Sequence, residues 1–218
     1  MALNLIMLGP PGAGKGTQAE TFARDHRIPK ISTGDILRDA VQSRTELGRA
    51  AKARMDAGEL VSDEVMVGIV WERLERADAR QGFVLDGFPR TIAQAASLDE
   101  IIAGRGPLIV VDIAVPEEIL VCRLLLRRIC GQCGASAGPE DAKSVLCARC
   151  GGRLVQRSDD NDTVVRARLR TYARQTQPLV EFYRDRPTFR SVDGNQPLAV
   201  VTATIRAAVA SVMAGRGA

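Results

Sequence analysis

The sequence predicts an α/β fold, in which a parallel sheet of five strands is flanked by helices and carries two insertions. Two observations predict the sheet: five short strand-like runs alternate with segments of helical periodicity, and the first of them, which is mostly apolar, leads into a glycine-rich loop. A third observation predicts an insertion: a cysteine- and glycine-rich stretch after the fourth run shows only weak periodicity, of neither the helical nor the strand type. The 218 residues are enough for one core with such insertions.

Two of the predicted strands are mostly apolar runs, at residues 3–8 and 108–115, of the kind that lies buried in a parallel sheet. The first run ends at Gly9, and the fourth is rich in β-branched residues. The predicted strands cover residues 3–8, 28–31, 82–86, 108–115 and 188–192.

The predicted helices carry recognisable start signals. Ser62 stands as an N-cap with two acidic residues directly behind it, and Pro116 stands where the first helical residue is expected. A long helix after Asn161 is expected to bend or restart at Pro178. The helices are predicted at residues 14–24, 35–43, 46–57, 62–77, 91–103, 116–127, from 161 onward and 202–214.

Charge and hydropathy argue against two classes of partner. The 30 basic residues only slightly exceed the 26 acidic ones, and they form no clustered run of the kind that binds nucleic acid. No stretch of about 18 apolar residues is present, so no membrane span is expected. The apolar N-terminus has no basic leader and runs into the glycine loop, so it is interpreted as a strand and a cytoplasmic location is expected.

The glycine loop, Gly9-Pro-Pro-Gly-Ala-Gly-Lys15-Gly-Thr17, lies between the first strand and the first helix. Glycines let successive backbone N–H groups turn toward a phosphate, the helix adds its positive end, and Lys15 can reach the outer phosphates. Gly16 stands where a serine or threonine usually follows the lysine, which departs from the usual hydroxyl contact with magnesium. The alternative is a glycine-rich turn with a chance lysine.

Two cysteine pairs, Cys130-x2-Cys133 and Cys147-x2-Cys150, are separated by 13 residues, and glycines follow three of the four cysteines. This spacing is typical of a four-thiolate zinc site, which is closed and therefore structural. A module of this size has too little core to fold alone, and a bound ion can stabilise it. Free thiols, or iron in place of zinc, remain alternatives.

Three motifs together resemble the nucleoside monophosphate kinases, and among them the adenylate kinases with a zinc-bearing lid. They are the glycine loop, the segment 31–38 (Ile-Ser-Thr-Gly-Asp-Ile-Leu-Arg) and the segment 82–94 (Gly-Phe-Val-Leu-Asp-Gly-Phe-Pro-Arg-Thr-Ile-Ala-Gln). Residues 192–194 (Val-Asp-Gly) extend the resemblance over essentially the whole chain. It implies a P-loop kinase that, with Mg²⁺, reversibly transfers the terminal phosphoryl group of ATP to AMP and gives two ADP.

The resemblance also implies three structural parts, two of which are mobile insertions; because these leave little constant surface for an interface, a monomer is expected. The core would comprise residues 1–31, 62–127 and 161–218, the helical AMP-binding insertion residues 32–61, and the zinc-bearing lid residues 128–160. Both insertions would close on the substrates and exclude water.

In the implied AMP site, Arg38 and Arg90 hold the phosphate, Gln94 contacts the adenine edge, and Thr33 favours AMP over pyrimidine monophosphates. Two apolar residues line the base pocket, and further residues complete the site. The full implied set is Thr33, Arg38, Leu60, Val61, Gly87, Arg90, Gln94, Arg157 and Arg168.

In the implied ATP site, the loop residues Gly12, Ala13, Gly14, Lys15, Gly16 and Thr17 act with Arg123 and Arg127. Asp86 would orient magnesium, and Asp159 with Asp160 would help the lid to close. The residues implied in catalysis are Lys15, Asp86, Arg90, Arg123, Arg127, Arg157, Arg166 and Arg168. For Arg166 an exposed surface position is the competing interpretation.

Two other functions remain open. A sibling kinase could use GTP as donor or UMP or CMP as acceptor, and a zinc ribbon could bind nucleic acid, with the P-loop serving as a nucleotide switch. The ribbon would need exposed basic and aromatic residues, but its centre has only Lys143 and Arg149. The lid also has Ala-Ser-Ala at 135–137, where relatives have an aromatic residue and a histidine. Cys122 is expected to be a buried small apolar residue, and His26, expected in a loop, is given no role.

Overall fold

The computed structural model describes residues 2–138 and 144–215, so Lys143 lies outside the described residues. A five-stranded parallel sheet has the order β2-β3-β1-β4-β7, and β5 and β6 form a separate antiparallel pair. The strands are β1 (Leu3–Leu8), β2 (Lys30–Ser32), β3 (Gly82–Asp86), β4 (Leu108–Ala114), β5 (Arg128–Cys130), β6 (Leu154–Gln156) and β7 (Phe189–Asp193).

Nine α-helices are found in the described part of the chain, and a π-helical segment, Tyr172–Thr176, joins the seventh to the eighth. They are α1 (Lys15–His26), α2 (Thr33–Gln42), α3 (Glu46–Ala57), α4 (Asp63–Leu74), α5 (Ile92–Ile101), α6 (Glu117–Leu125), α7 (Asp162–Thr171), α8 (Pro178–Arg184) and α9 (Leu198–Ala214). None of the described helices is long and apolar enough to cross a membrane.

The sheet has helices packed on both faces. Alternate residues of β1 enter two different apolar clusters: Leu5 and Met7 pack with α1, α6, α7 and α9, whereas Ile6 and Leu8 pack with α2, α4, α5 and α8. This alternation follows from the two-residue period of a strand, and both faces are apolar because both are covered. The predicted five-stranded parallel α/β fold is confirmed.

The register brings the carboxyl ends of the strands to one edge of the sheet. Met7 of β1 lies beside Asp86 of β3, and Leu8 lies beside Asp112 of β4. The glycine loop leaves β1 at this same edge. In a sheet of this kind ligands bind at the carboxyl edge, so the fold itself indicates where to look for the site.

Several local predictions need correction. Cys122 is exposed, because α6 turns Leu120 and Leu124 to the core and places Cys122 on the opposite face. Pro116 is the N-cap residue of α6 and not its first residue. His26 lies in the last turn of α1, where its ring stacks on Phe22.

The restart at Pro178 is confirmed, since α8 begins there. Proline has no N–H to close the turn before it. The preceding turn is instead π-helical, and the N–H of Gln177 donates to the carbonyl oxygen of Tyr172 at 2.9 Å. Near the C-terminus, α9 begins at Leu198, earlier than predicted, because Pro197 serves as its N-cap residue.

Candidate active site

The glycine loop joins β1 to α1 at the carboxyl edge of the sheet. Gly9, Gly12 and Gly14 have φ angles of 133°, 87° and 93°, which residues with a side chain rarely adopt. At Gly9 a Cβ atom would lie 2.6 Å from the carbonyl oxygen of Ile113, so the loop packs closely on β4. α1 then begins at Lys15 without a side-chain cap, which leaves its positive end open toward the loop.

Lys15 concentrates positive charge at this loop. Its Nζ donates hydrogen bonds to the carbonyl oxygens of Gly9 and Pro10, at 2.7 and 2.9 Å. Burial lowers the pKa of Lys15 to about 8; the negative charge of Asp86 opposes this, and three guanidinium groups lower the pKa further. An anion bound here would favour the protonated lysine. The three guanidinium groups belong to Arg90, Arg168 and Arg127.

A cleft opens beside the loop, between the end of β3 and the helices α2, α3 and α7. All nine residues predicted for the monophosphate site line it, and so do Lys15 and Asp159. Its lining combines apolar side chains, among them Leu37, Met55 and Met66, with several arginines and Lys15. Such a lining suits a ligand that has both an apolar ring and an anionic group.

Gly87 links Thr33 to Arg90 within the cleft. Its carbonyl oxygen accepts hydrogen bonds from Thr33 Oγ1 at 2.9 Å and from Arg90 Nε at 2.7 Å. Its φ is 83°, and a Cβ atom there would lie 2.9 Å from Arg90 Nη2. Glycine therefore allows the guanidinium to lie directly against the backbone. Burial lowers the pKa of Arg90, although the charge of Asp86 opposes this.

An acidic pair holds three of the predicted arginines together. Asp160 is fully buried, and it accepts two hydrogen bonds from Arg127, at 2.7 and 2.5 Å, and one from Arg168 at 3.0 Å. Asp159 accepts two from Arg157, at 2.9 and 2.6 Å. Burial tends to raise the pKa of Asp159, but the hydrogen bonds and charge of Arg157 outweigh it and hold this pKa well below its usual range.

Among these three arginines, Arg168 has the pKa that is shifted furthest from its usual value. Burial lowers its pKa to about 10, the charge of Asp159 opposes this, and the neighbouring guanidinium groups lower the pKa further. The two carboxylates therefore offset the repulsion between the guanidinium groups of this cluster.

Two of the predicted arginines, Arg123 and Arg166, are not part of this cluster. Arg123 donates two hydrogen bonds to the carbonyl oxygen of Gly194, both at 3.1 Å. Arg166 lies on the outer face of α7 with 58% of its side chain exposed, and it pairs with Asp162 at 3.0 Å. The structure does not bring Arg166 into the cleft.

Asp86 ends β3 beside the first turn of α1. A Cβ atom at Gly16 would lie 3.2 Å from Asp86 Oδ2, so glycine at this position leaves room for the carboxylate. The charge of Asp86 acts on both Lys15 and Arg90. An oxygen ligand placed beside a phosphate-binding loop suits a magnesium ion, which binds through one or two carboxylates together with substrate phosphates.

The four cysteines of the two pairs converge at one point. Their sulfur atoms all lie within 4.8 Å of one another, with Cys130 Sγ 3.4 Å from Cys150 Sγ and Cys133 Sγ 3.7 Å from Cys147 Sγ. These distances are longer than the S–S bond of a disulfide, which is about 2.05 Å. They approach the separation of about 3.8 Å that follows from four Zn–S bonds of about 2.3 Å in a tetrahedron.

Cys130 also has the electronic character of a metal ligand. The backbone N–H groups of Cys133 and Gln132 direct hydrogen bonds to its sulfur and lower its pKa to about 6. A thiolate is the form that binds a metal ion. The apolar core of this module is small, with Leu154 beside the buried cysteines.

Comparisons with known proteins decide the family. A family model described as adenylate kinase matches residues 7–188 of this chain. The chain belongs to the adenylate kinase family. It is therefore an enzyme, a phosphotransferase of the nucleoside monophosphate kinase type, and its function is that of an adenylate kinase.

Relatives match this family member over nearly the whole chain. The adenylate kinase of Archaeoglobus fulgidus is 49% identical over 213 residues, which cover 94% of this chain and 97% of the relative. That of Geotalea daltonii is 52% identical over 198 residues, 88% and 92% of the two chains. That of Bacillus licheniformis is 49% identical over 209 residues, 94% and 96% of the two chains.

Sequence reasoning missed three polar residues at the site. Asp63 was interpreted only as part of a helix start, yet it bonds to Gln94. Thr176, in the π-helical segment, donates to the carbonyl oxygen of Arg90 at 2.9 Å. Asp112 is buried, which raises its pKa, and its Oδ1 has no hydrogen-bond partner among the described residues. The signal that could have found Asp112 is that it is the one acidic residue within an otherwise apolar strand.

Proposed function

We propose that this enzyme reversibly transfers the terminal phosphoryl group of Mg-ATP to AMP by in-line displacement and gives two ADP. The observation that carries this proposal is the convergence of the loop lysine Lys15 and the guanidinium groups of Arg90 and Arg168 beside one cleft. Phosphoryl transfer requires two anionic substrates to be aligned and their repulsion to be offset, and it leaves little covalent work for side chains.

On the donor side, the loop residues 12–17 and the positive end of α1 bind the ATP phosphates. Lys15 contacts the outer phosphates as a point charge. Arg123, on α6, and Arg127, just after that helix, both precede the lid in the chain, and we assign them to the ATP phosphates as well. Arg166 stays a predicted contributor, although its side chain is exposed and paired with Asp162.

On the acceptor side, the AMP phosphate binds to the arginines that line the cleft, Arg38, Arg90, Arg157 and Arg168. The adenine lies against Leu60 and Val61, and Gln94 contacts its edge. Thr33 and Gly87 border the ring. The support for this assignment is that all these residues line one cleft.

Magnesium, held near Asp86 when it is bound with ATP, would supply further positive charge to the phosphates. The chain's own residues do the rest: the loop and the arginines orient both substrates, and the insertion (32–61) and the lid (128–160) exclude water when closed. We assign Asp159 and Asp160 the task of holding Arg127, Arg157 and Arg168 in place before the substrates arrive.

We further propose that the four cysteines hold one structural zinc ion. The separations of the four sulfur atoms fit a single tetrahedral ion. In a cluster of several irons each thiolate binds a different iron, so the sulfur atoms would stand further apart. Reduced thiols of this kind accord with a cytoplasmic location, and we propose a monomer because two mobile parts leave little constant surface for an interface.

A panel of acceptors tests this function. ADP formation from Mg-ATP should be fast with AMP and at least roughly tenfold slower with UMP or CMP, and it should be minimal without an acceptor. Efficient use of UMP or CMP would overturn the assignment of AMP. A matching panel with GTP as donor separates the sibling activity, because donor and acceptor are varied independently.

A further inference from the structure

Asp63 opens α4 and is held against the first turn of α5. Both of its carboxylate oxygens accept hydrogen bonds: Oδ1 from Gln94 Nε2 at 2.7 Å and Oδ2 from Thr91 Oγ1 at 2.8 Å. The hydroxyl of Thr91 itself accepts the backbone N–H of Gln94 at 3.2 Å, so its hydrogen is available for Asp63. The contact joins α4 to α5, and its two residues, Asp63 and Gln94, are 31 positions apart in the chain.

This contact fixes the orientation of the Gln94 side-chain amide. Gln94 is buried, with 1% of its surface exposed, and its Oε1 accepts the backbone N–H of Arg90 at 2.8 Å. An ionised carboxylate only accepts hydrogen bonds and a backbone N–H only donates them. Rotating the amide by half a turn would therefore place oxygen against oxygen at Asp63 and N–H against N–H at Arg90.

We propose that Asp63 is a positioning residue through which the acceptor site selects an amino-purine over an oxo-purine. The inference rests on the proposed acceptor site, in which Gln94 contacts the base. After its bonds to Asp63 and Arg90, the amide of Gln94 keeps one N–H and one oxygen lone pair for a ligand. Since both ends of the amide are fixed, the positions of this donor and acceptor are fixed too.

The fixed amide complements only one of the two purine classes. Adenine presents an amino donor beside a ring-nitrogen acceptor, which matches an amide oxygen and an amide N–H in that order. Hypoxanthine presents a carbonyl acceptor beside an N–H donor on the same edge and would require the rotated amide. A site built on fixed hydrogen bonds discriminates against a reversed pattern because it leaves buried polar groups unpaired.

Three variants test the inference through the ratio of kcat/KM for AMP to kcat/KM for IMP. Asp63→Leu removes one of the two anchors, and we expect this ratio to fall at least roughly tenfold, mainly through KM, because a hydrogen bond to a charged group is lost. Asp63→Asn keeps an oxygen that can accept from Gln94, and we expect it to retain the ratio within about threefold. Glu64→Leu makes the same change one residue on, in the same helical turn, and should leave the ratio unchanged.

An unchanged ratio in Asp63→Leu would overturn the inference, and so would an equal loss in Asp63→Asn, because charge would then matter more than the acceptor. If Asp63→Leu fails to fold, the wild-type protein still provides a test: one of the two Nε2 protons of Gln94 should exchange slowly with solvent by NMR. Rapid exchange of both protons would contradict the contact. Failure of the wild type to use AMP would overturn the proposed function itself.

Discussion

Replacing Lys15 with methionine should lower turnover by roughly 10²–10³-fold while leaving the fold intact. The ammonium of Lys15 donates hydrogen bonds to two carbonyl groups of the loop itself, those of Gly9 and Pro10. Burial, together with the neighbouring guanidinium groups, lowers the pKa of Lys15 to about 8. The charged form of the lysine is therefore less stable here than in water until a phosphate binds beside it. Loss of the charge should therefore weaken substrate alignment without unfolding the protein.

Steady-state ADP formation and thermal unfolding measure the two parts of this prediction. Lys52→Met is the matched control. Lys52 lies on α3 with 59% of its side chain exposed, and it forms a salt bridge with Asp56 on the same helix. The control should retain full activity. Near-normal turnover in Lys15→Met would show that the loop is not the cradle for the phosphates.

Removal of the zinc ion that we propose for the four cysteines should have the largest effect on stability. In Cys147→Ser we expect the zinc content to fall from about one ion per chain to under a tenth and the melting temperature to drop by about 10 °C. A ligand present at 1,000 times its Kd stabilises a protein by about 4 kcal/mol. In a domain of this size each kcal/mol shifts the melting temperature by about 2–4 °C. The small apolar core around Leu154 leaves little else to hold the lid.

Elemental analysis and calorimetry provide the measurement, and Cys122→Ser is the matched control. Cys122 is exposed on α6 and stands outside the group of four sulfur atoms, so this variant should keep both its metal and its melting temperature. Less than half an equivalent of zinc in the wild type, with no iron, would contradict the site. Iron in place of zinc would keep the structural role and change the identity of the ion.

The elements with strong local signals were predicted closely. β1, β3 and α3 have the predicted bounds. At α3 the reason is local: Thr45 caps the N-terminus through the N–H of Gly48, and Gly58 ends the helix with a φ of 72°. Such signals lie within a few residues of the element that they delimit, so the sequence alone suffices.

The features that sequence reasoning missed depend on contacts between distant segments. The bond from Gln94 to Asp63 requires α4 and α5 to be packed together. The exposure of Cys122 depends on which face of α6 meets the core, and that face is set by Leu120 and Leu124. The exposed position of Arg166 likewise depends on which face of α7 meets the core. Val165 and Leu169 are buried there, and Arg166 lies outside that buried face.

The most direct test of the central claim follows the transferred group. The enzyme is mixed with Mg-ATP labelled at the γ-phosphate, with and without AMP, and the products are separated. Direct transfer between two bound nucleotides predicts that the label appears in ADP only when AMP is present, with two ADP formed for each AMP consumed. Label released as inorganic phosphate at the same rate with and without AMP would contradict the account.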